Sequence, residues 1–449
     1  MDKREADDDK SQSIWRTVES RQGSRRLAES RLFSFRLLAA IIVILFALLS
    51  VPGQLRVDAS NAVPTAATTT TPRAVARVAT TDAPTTPVSA IASAAVSPSS
   101  PAVKAAPVVQ PLALSARAAY AVDLTNQTEL YASNADEPLP PASLTKLVTA
   151  IVVVEHVQPD ATVTIQADDT VDPTIYSHVG LEVGDVVTVQ ELLAGMLLNS
   201  GGDAALALSR YVGAQLPGAA NEDPRQRFVD EMNRQAASLR MNHTHFLDPD
   251  GRDETGHVST AHDIALAAAR LFQYPILETL VGEAKQDIQV QGPHARTITL
   301  YNTNELLGTP GVHGVKTGTT DAAGECLVIA IQENGARIIT VIMGSSDRYG
   351  DESKLLGYLN DHYRWVRLGR GGDLSALNYE LTQKGYSLGI VRTELLTAAQ
   401  AAELSYSLTL NPSPNSAPLK AQGYVVFFIG TQPILRLPVY AGDPFKTSG

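Results

Sequence analysis

Ser143 and Lys146 stand three residues apart in Pro140-Pro-Ala-Ser-Leu-Thr-Lys-Leu147, where an apolar helical run begins. Positions i and i+3 share a helix face, so hydroxyl and amine are neighbours at the helix start. A serine hydroxyl is a poor nucleophile until a base removes its proton, and a desolvated lysine one turn away can do so. Partial burial and a neighbouring positive charge both favour the neutral amine that this role needs. The helix N-terminus also aims backbone N–H groups at Ser143, as an oxyanion requires. An N-cap serine beside a surface lysine is the bland alternative. Against it, this is the only S-x-x-K in the chain.

Two further segments carry complementary chemistry. Lys316-Thr-Gly-Thr319 follows Gly311-Val-His-Gly-Val315 and precedes an apolar strand-like run. Lys316 supplies a positive charge for a terminal carboxylate, with the Thr317 or Thr319 hydroxyl beside it. Gly318 would let a substrate backbone approach an edge strand closely. Between the two lies Leu198-Asn-Ser-Gly-Gly-Asp-Ala-Ala205. There Ser200 can relay a proton between Lys146 and a leaving amine, unless it only caps the helix starting near Asp203. The order and spacing of the three segments point to acyl transfer at serine.

Composition removes other classes. A formal net charge of -11 argues against nucleic acid as a partner. The single cysteine, Cys326, excludes an intramolecular disulfide, and its apolar surroundings (Cys326-Leu-Val-Ile-Ala-Ile331) make it a small core residue. No H-E-x-x-H or C-x-x-C occurs, and His257 and His262 have no usual zinc spacing. Neither a metal nor another cofactor is expected.

The elements that must position these residues begin late in the chain. Residues 1–36 read as a basic cytoplasmic leader, with Arg21, Arg25, Arg26, Arg31 and Arg36 upstream of the long apolar run 37–51. Downstream, Arg56 is the only basic residue before Arg73, so the charge asymmetry places everything after residue 53 outside the cell. Fifteen residues span about 22 Å of helix, short of the ~30 Å hydrocarbon core. Residues 37–53 are therefore expected to be an uncleaved single-pass anchor or a signal h-region, the protein being membrane-anchored or secreted into the wall. Residues 54–111, rich in Ala, Thr, Pro, Ser and Val, read as a disordered tether.

Ordered sequence is expected from 112. Two short strands flank Asn126-Gln127; helical runs follow at 143–156, 189–212, 225–239 and 260–273; strands come at 326–332 and 337–343, then a helix at 352–367. Strands at both ends of a helical middle give an α+β sandwich over 112–370, its antiparallel sheet built from distant parts of the chain. A small β-rich domain follows over 371–449. In it Leu404–Leu410 alternates strictly, and Tyr424–Ile429 and Ile434–Tyr440 form a hairpin around Gly430-Thr-Gln432.

From about Ala118 to Trp365 the chain resembles the D-alanyl-D-alanine carboxypeptidases among the low-molecular-mass penicillin-binding proteins. Pro141–Ala150 is similar to that family's nucleophile block. Leu239-Arg-Met-Asn-His-Thr-His-Phe246 with Asp250-Gly251 and Ser259-Thr-Ala-His-Asp263 resembles its middle signature, and Tyr301-Asn-Thr-Asn-Glu-Leu-Leu307 with Gly314–Gly318 its third. The resemblance implies a β-lactamase/penicillin-binding-protein-like fold. It implies hydrolysis of the terminal D-alanine from peptidoglycan stem pentapeptides, with Ser143 as nucleophile, Lys146 as base and Ser200 as proton relay. Lys316, Thr317, Gly318 and Thr319 would bind the substrate, backbone N–H groups of Ser143 and Thr319 would form the oxyanion hole, and β-lactams would acylate Ser143.

One position departs from the family pattern. Its middle motif is serine, any residue, asparagine, and the third place here is Gly202. That asparagine offers its side-chain amide to the substrate backbone; glycine has nothing to offer. Asn199 is expected to point elsewhere, and Asp203 to be a helix-start residue. Losing one such hydrogen bond costs about 1–3 kcal/mol, which slows turnover. The competing readings are a catalytically weakened muropeptide- or β-lactam-binding protein, and a β-lactamase, for which the helix after Ser200 shows no E-x-x-x-N water-activating pattern.

Overall fold

A computed structural model describes residues 112–219, 221–410 and 420–442. The leader, apolar run and tether expected over 1–111 lie outside the described residues, as do the last seven positions. Among the described residues no single helix is long and apolar enough to cross a membrane.

The sheet at the centre is antiparallel and five-stranded, in the order Thr128–Ser133, Ala118–Asp123, Ala336–Ser345, Gly324–Glu333, Val312–Thr320. Its first and last strands in sequence are thus joined in one layer, as the sequence pattern implied. The three inner strands bury both faces and sort their side chains by the period-2 rule. Ile339, Val341 and Met343, with Cys326 and Val328, face the helical layer. Ile338 and Ile342, with Leu327 and Ile329, face the other side, onto Leu355, Tyr358 and Leu359 of the helix Arg348–His362. Cys326 is a buried core residue, and burial pushes its thiol up to about 11.

On the helical side, Lys146–His156 runs through the middle of the layer. Its first eight residues, Lys146 to Val153, are all buried. A helix buried around its whole circumference is a core element, not an amphipathic one. The run expected as one helix over 189–212 is two, Val189–Leu198 and Gly202–Gly213. Ser200, at φ +58°, adopts the left-handed conformation that breaks the helical ladder between them. Periodicity cannot see such a break, because the apolar spacing resumes in phase.

The helix expected over 352–367 ends at His362, and Tyr363–Gly369 is a strand paired with Val391–Thr397. Aromatic and β-branched residues at alternate places favour the extended chain there. Tyr363 donates its hydroxyl to the Leu130 carbonyl (3.0 Å), while Leu368 enters the core of the next domain. Elements that went unseen in the sequence include the hairpin Lys285–Val290 with Arg296–Tyr301 and the helix Pro275–Gly282. The C-terminal region holds a four-stranded antiparallel sheet containing Leu404–Leu410 and the hairpin Ala421–Ile429 with Gln432–Ala441. Two short helices, Ser375–Gln383 and Ala398–Ala402, accompany it.

Glu352 lies under the sheet with Thr340 as its one hydrogen-bond donor (2.7 Å), and its second carboxyl oxygen is unpartnered. Burial pushes its carboxyl up to about 7. An acid raised on folding stabilises below its unfolded pKa and loses that contribution as pH climbs through the folded value. Stability should therefore fall between about pH 4.5 and 7. Glu352→Gln should remove the loss, gaining up to about 3 kcal/mol above neutrality and nothing near pH 4 in urea titrations. Parallel pH profiles for both proteins would refute this account.

Candidate active site

The nucleophile sits where a 3-10 turn, Ala142–Thr145, passes into the helix starting at Lys146. The chain entering this turn is held by two backbone hydrogen bonds between Leu139 and Ser259 (2.8 and 2.9 Å). Across the junction the Lys146 amine reaches the Ser143 hydroxyl at 2.9 Å, as the i, i+3 spacing implied. The same amine donates to the Asp250 carbonyl. Lys146 is 3% exposed, and this burial lowers its pKa against the opposing charges of Asp250, Asp248 and Asp203. A lysine so placed is ready to accept the serine proton.

Facing it is the edge strand Val312–Thr320. Lys316 lies mid-strand, 1% exposed, with its amine on the Thr317 carbonyl at 2.9 Å. Burial, then the positive charges of Lys146 and Arg348, hold it well below the ordinary lysine value. Gly318 meets the nucleophile turn itself. A Cβ there would lie 3.0 Å from the Ser143 nitrogen, 3.1 Å from the Ala142 Cβ and 3.3 Å from the Pro141 carbonyl. The close approach read from sequence as one of substrate is thus first one of strand to turn.

The middle segment closes the third side. The Leu198 carbonyl accepts from Thr303 N–H (3.1 Å), and the Thr303 hydroxyl meets that of Thr317 at 2.6 Å. Ser200, at the break two residues on, is 5% exposed, and its hydroxyl makes no hydrogen bond to another described residue. Asn199 turns away and donates to the His178 carbonyl (2.7 Å). Asp203 collects the N–H groups of Val179, Gly180 and Leu181, pinning that loop from the helix start. Both expectations for these residues agree with the geometry.

Several supporting residues escaped the motif-based reading. His257, considered only as a metal ligand, contacts the Thr145 hydroxyl (2.9 Å) through Nε2 and Asp248 (3.1 Å) through Nδ1. Asp248 also accepts the N–H groups of Asp250 and Arg252 (2.8 and 3.1 Å). Burial opposes its ionisation, but His257, the Asp250 carboxyl and the Gly251 N–H outweigh it and hold the carboxyl below its usual range. Gly251, at φ +87°, packs so tightly that a Cβ would strike the Ala142 carbonyl. Arg348 donates to the carbonyls of Gly318 and Cys326 (both 3.0 Å) and to the Thr319 hydroxyl. Only the Asp250-Gly251 pair left a trace in the sequence blocks.

A serine bonded to a buried lysine, faced by a second buried lysine on an edge strand, is the arrangement that known relatives can be compared against. A family model described as D-alanyl-D-alanine carboxypeptidase matches residues 104–347, more than half of the chain. The chain belongs to this family. The D-alanyl-D-alanine carboxypeptidase DacC of Escherichia coli is 31% identical over 349 residues, covering 72% of this chain and 82% of that protein. DacF of Bacillus subtilis is 30% identical over 56% of this chain, and the match spans 64% of that protein's length. Among solved structures, the Streptomyces K15 DD-transpeptidase is 33% identical with a TM-score of 0.53, covering 56% of this chain and 98% of its own. DacD of Francisella tularensis is 27% identical with a TM-score of 0.53, covering 75% and 96%. These likenesses fit an α+β penicillin-binding-protein fold followed by a β-rich region.

Because Gly318 touches the turn that carries the nucleophile, Gly318→Ala should push Ser143 off its line. Acylation by a fluorescent penicillin should slow by on the order of ten- to a hundredfold with the circular dichroism spectrum unchanged. Wild-type acylation rates in the variant would refute the assignment of this contact.

Proposed function

We propose that this protein removes the terminal D-alanine of peptidoglycan stem pentapeptides through an acyl-enzyme on Ser143. The observation that carries the reading is the 2.9 Å contact between the Lys146 amine and the Ser143 hydroxyl inside a buried, positively charged cleft. Lys146 takes the serine proton as Ser143 attacks the penultimate D-Ala carbonyl. The Ser143 and Thr319 N–H groups receive the oxyanion, in keeping with the contact of Gly318 on the Ser143 turn. Ser200 passes a proton to the departing D-alanine amine, and water then hydrolyses the ester. Lys316 and Thr317 hold the terminal carboxylate, with Arg348 reinforcing the positive field at the strand end. A β-lactam presents a strained amide and a carboxylate in similar positions, so it acylates the same hydroxyl.

The proposal extends to location. The apolar run 37–53, its arginine-rich upstream flank and the Ala/Thr/Pro/Ser tether favour a protein held at the outer face of the cell membrane, reaching into the wall. The reading as a weakened binding protein rests on Gly202 alone.

Full-length protein should release free D-alanine from a synthetic stem pentapeptide, and Ser143→Ala should abolish the release. Mass spectrometry after penicillin treatment should find one adduct, on Ser143. An adduct elsewhere, or no D-alanine from active wild-type preparations, would overturn the proposal.

A further inference from the structure

The corner at Gly202 is bounded by Asp250, which is paired with Arg252. A Cβ on Gly202 would stand 2.9 Å from Oδ2 of Asp250 and 3.3 Å from the Ser177 carbonyl. The Asp250 carboxylate is buried, and both its oxygens receive Nε–H of Arg252 (3.1 and 3.2 Å). The Arg252 guanidinium lies over the Tyr176 ring, 4.5 Å from its centroid. Fixed by a carboxylate along one edge and an aromatic ring against one face, the fork has a single preferred orientation. Its two terminal amino groups make no hydrogen bond to any described residue, and the side chain is 36% exposed.

The course of the chain places this fork beside the reacting groups. The Asp250 carbonyl holds the Lys146 amine, and Gly251 lies against the Ala142 carbonyl. Asp253 accepts the Ala322 N–H (3.0 Å) and the Thr320 hydroxyl, at the end of the strand bearing Lys316. Residues 250–253 therefore run from the Gly202 corner, past the nucleophile, to the far strand, with Arg252 between. The positive charge of Arg252 acts on Lys146 itself.

We infer that Arg252 is a substrate-binding residue, its free amino groups supplying the donor that no side chain at position 202 provides and selecting stem peptides with a carboxylate on the residue preceding D-Ala-D-Ala. The inference rests on the carboxypeptidase reading for the identity of the peptide. A side-chain amide would hold a carbonyl without regard to charge; a guanidinium holds a carboxylate bidentately and more strongly. Gly202 belongs to the same device, since any larger residue displaces the carboxylate that aims the fork.

The test compares two pentapeptides differing only at the third residue, one with a free side-chain carboxylate and one with that group amidated. Full-length wild-type protein should favour the free acid by about tenfold in kcat/KM. Arg252→Ala should lower kcat/KM for the free acid by about ten- to a hundredfold and erase the preference, and Arg252→Lys should restore part of it. Gly202→Asn should give no gain on either peptide. Equal loss on both peptides with the preference intact would reduce Arg252 to a structural part, and an unchanged rate in Arg252→Ala or a tenfold gain in Gly202→Asn would also overturn the inference. Titration of both peptides into Ser143→Ala protein, with and without Arg252→Ala, reads the same preference as Kd. If wild type releases no D-alanine, the carboxypeptidase reading fails while these affinities still decide the role of Arg252.

Discussion

Two lysine amines, Lys146 and Lys316, are buried in one cleft, and the rest of the structure is arranged around that constraint. Each is nearly inaccessible, and burial lowers both. A protonated amine cut off from water is costly unless carboxylates or carbonyls surround it. Lys146 has the Asp250 carbonyl and the nearby acids; Lys316 has only the Thr317 carbonyl and feels the repulsion of Lys146 and Arg348. Lys316 is thus left with few partners, a setting that a peptide carboxylate would satisfy, while burial favours the neutral form of Lys146.

Rigid supports convert this potential into chemistry. The nucleophile helix is buried on all sides through Val153, so its first turn has little freedom. The edge strand presses Gly318 onto that turn, and Gly251 presses on it from a second direction. His257, Thr145 and Asp248 tie the loop that supplies the Asp250 carbonyl to the first turn of the nucleophile segment. An acyl-transfer site works only when its parts are held to fractions of an ångström. Here backbone contact through two glycines supplies much of that precision.

Much of the α+β frame and the candidate residues that it brings together were legible because each carries a local signal. The alternation of Leu404–Leu410 marked a strand, and the apolar run after Ser143 marked a core helix. Ser143, Lys146 and Lys316 were found from residue type and order. Ser200 was identified, yet the left-handed break it makes was hidden inside an unbroken apolar period. Residues 363–367 of the strand Tyr363–Gly369 were read as helix because its pairing partner begins 22 positions beyond its last residue, at Val391. Arg348, Thr303 and His257 act through contacts across long stretches of sequence, which no spacing rule contains. Gly202 was recognised as a departure, but that the Asp250 carboxylate, paired with Arg252, borders its corner is a fact of three dimensions.

The central claim is that burial lowers the Lys146 amine below the ordinary lysine value and that this amine is the base for Ser143. The pH dependence of the acylation rate, followed with a penicillin whose own charge is constant over the range, tests it most directly. Because burial lowers the amine, the rate should rise with pH through a limb lying below ~10.4, and Lys146→Arg, which keeps the charge but cannot give up its proton, should lose the limb and nearly all of the rate. A limb at the ordinary lysine value, or a Lys146→Arg protein that acylates at the wild-type rate, would contradict the account.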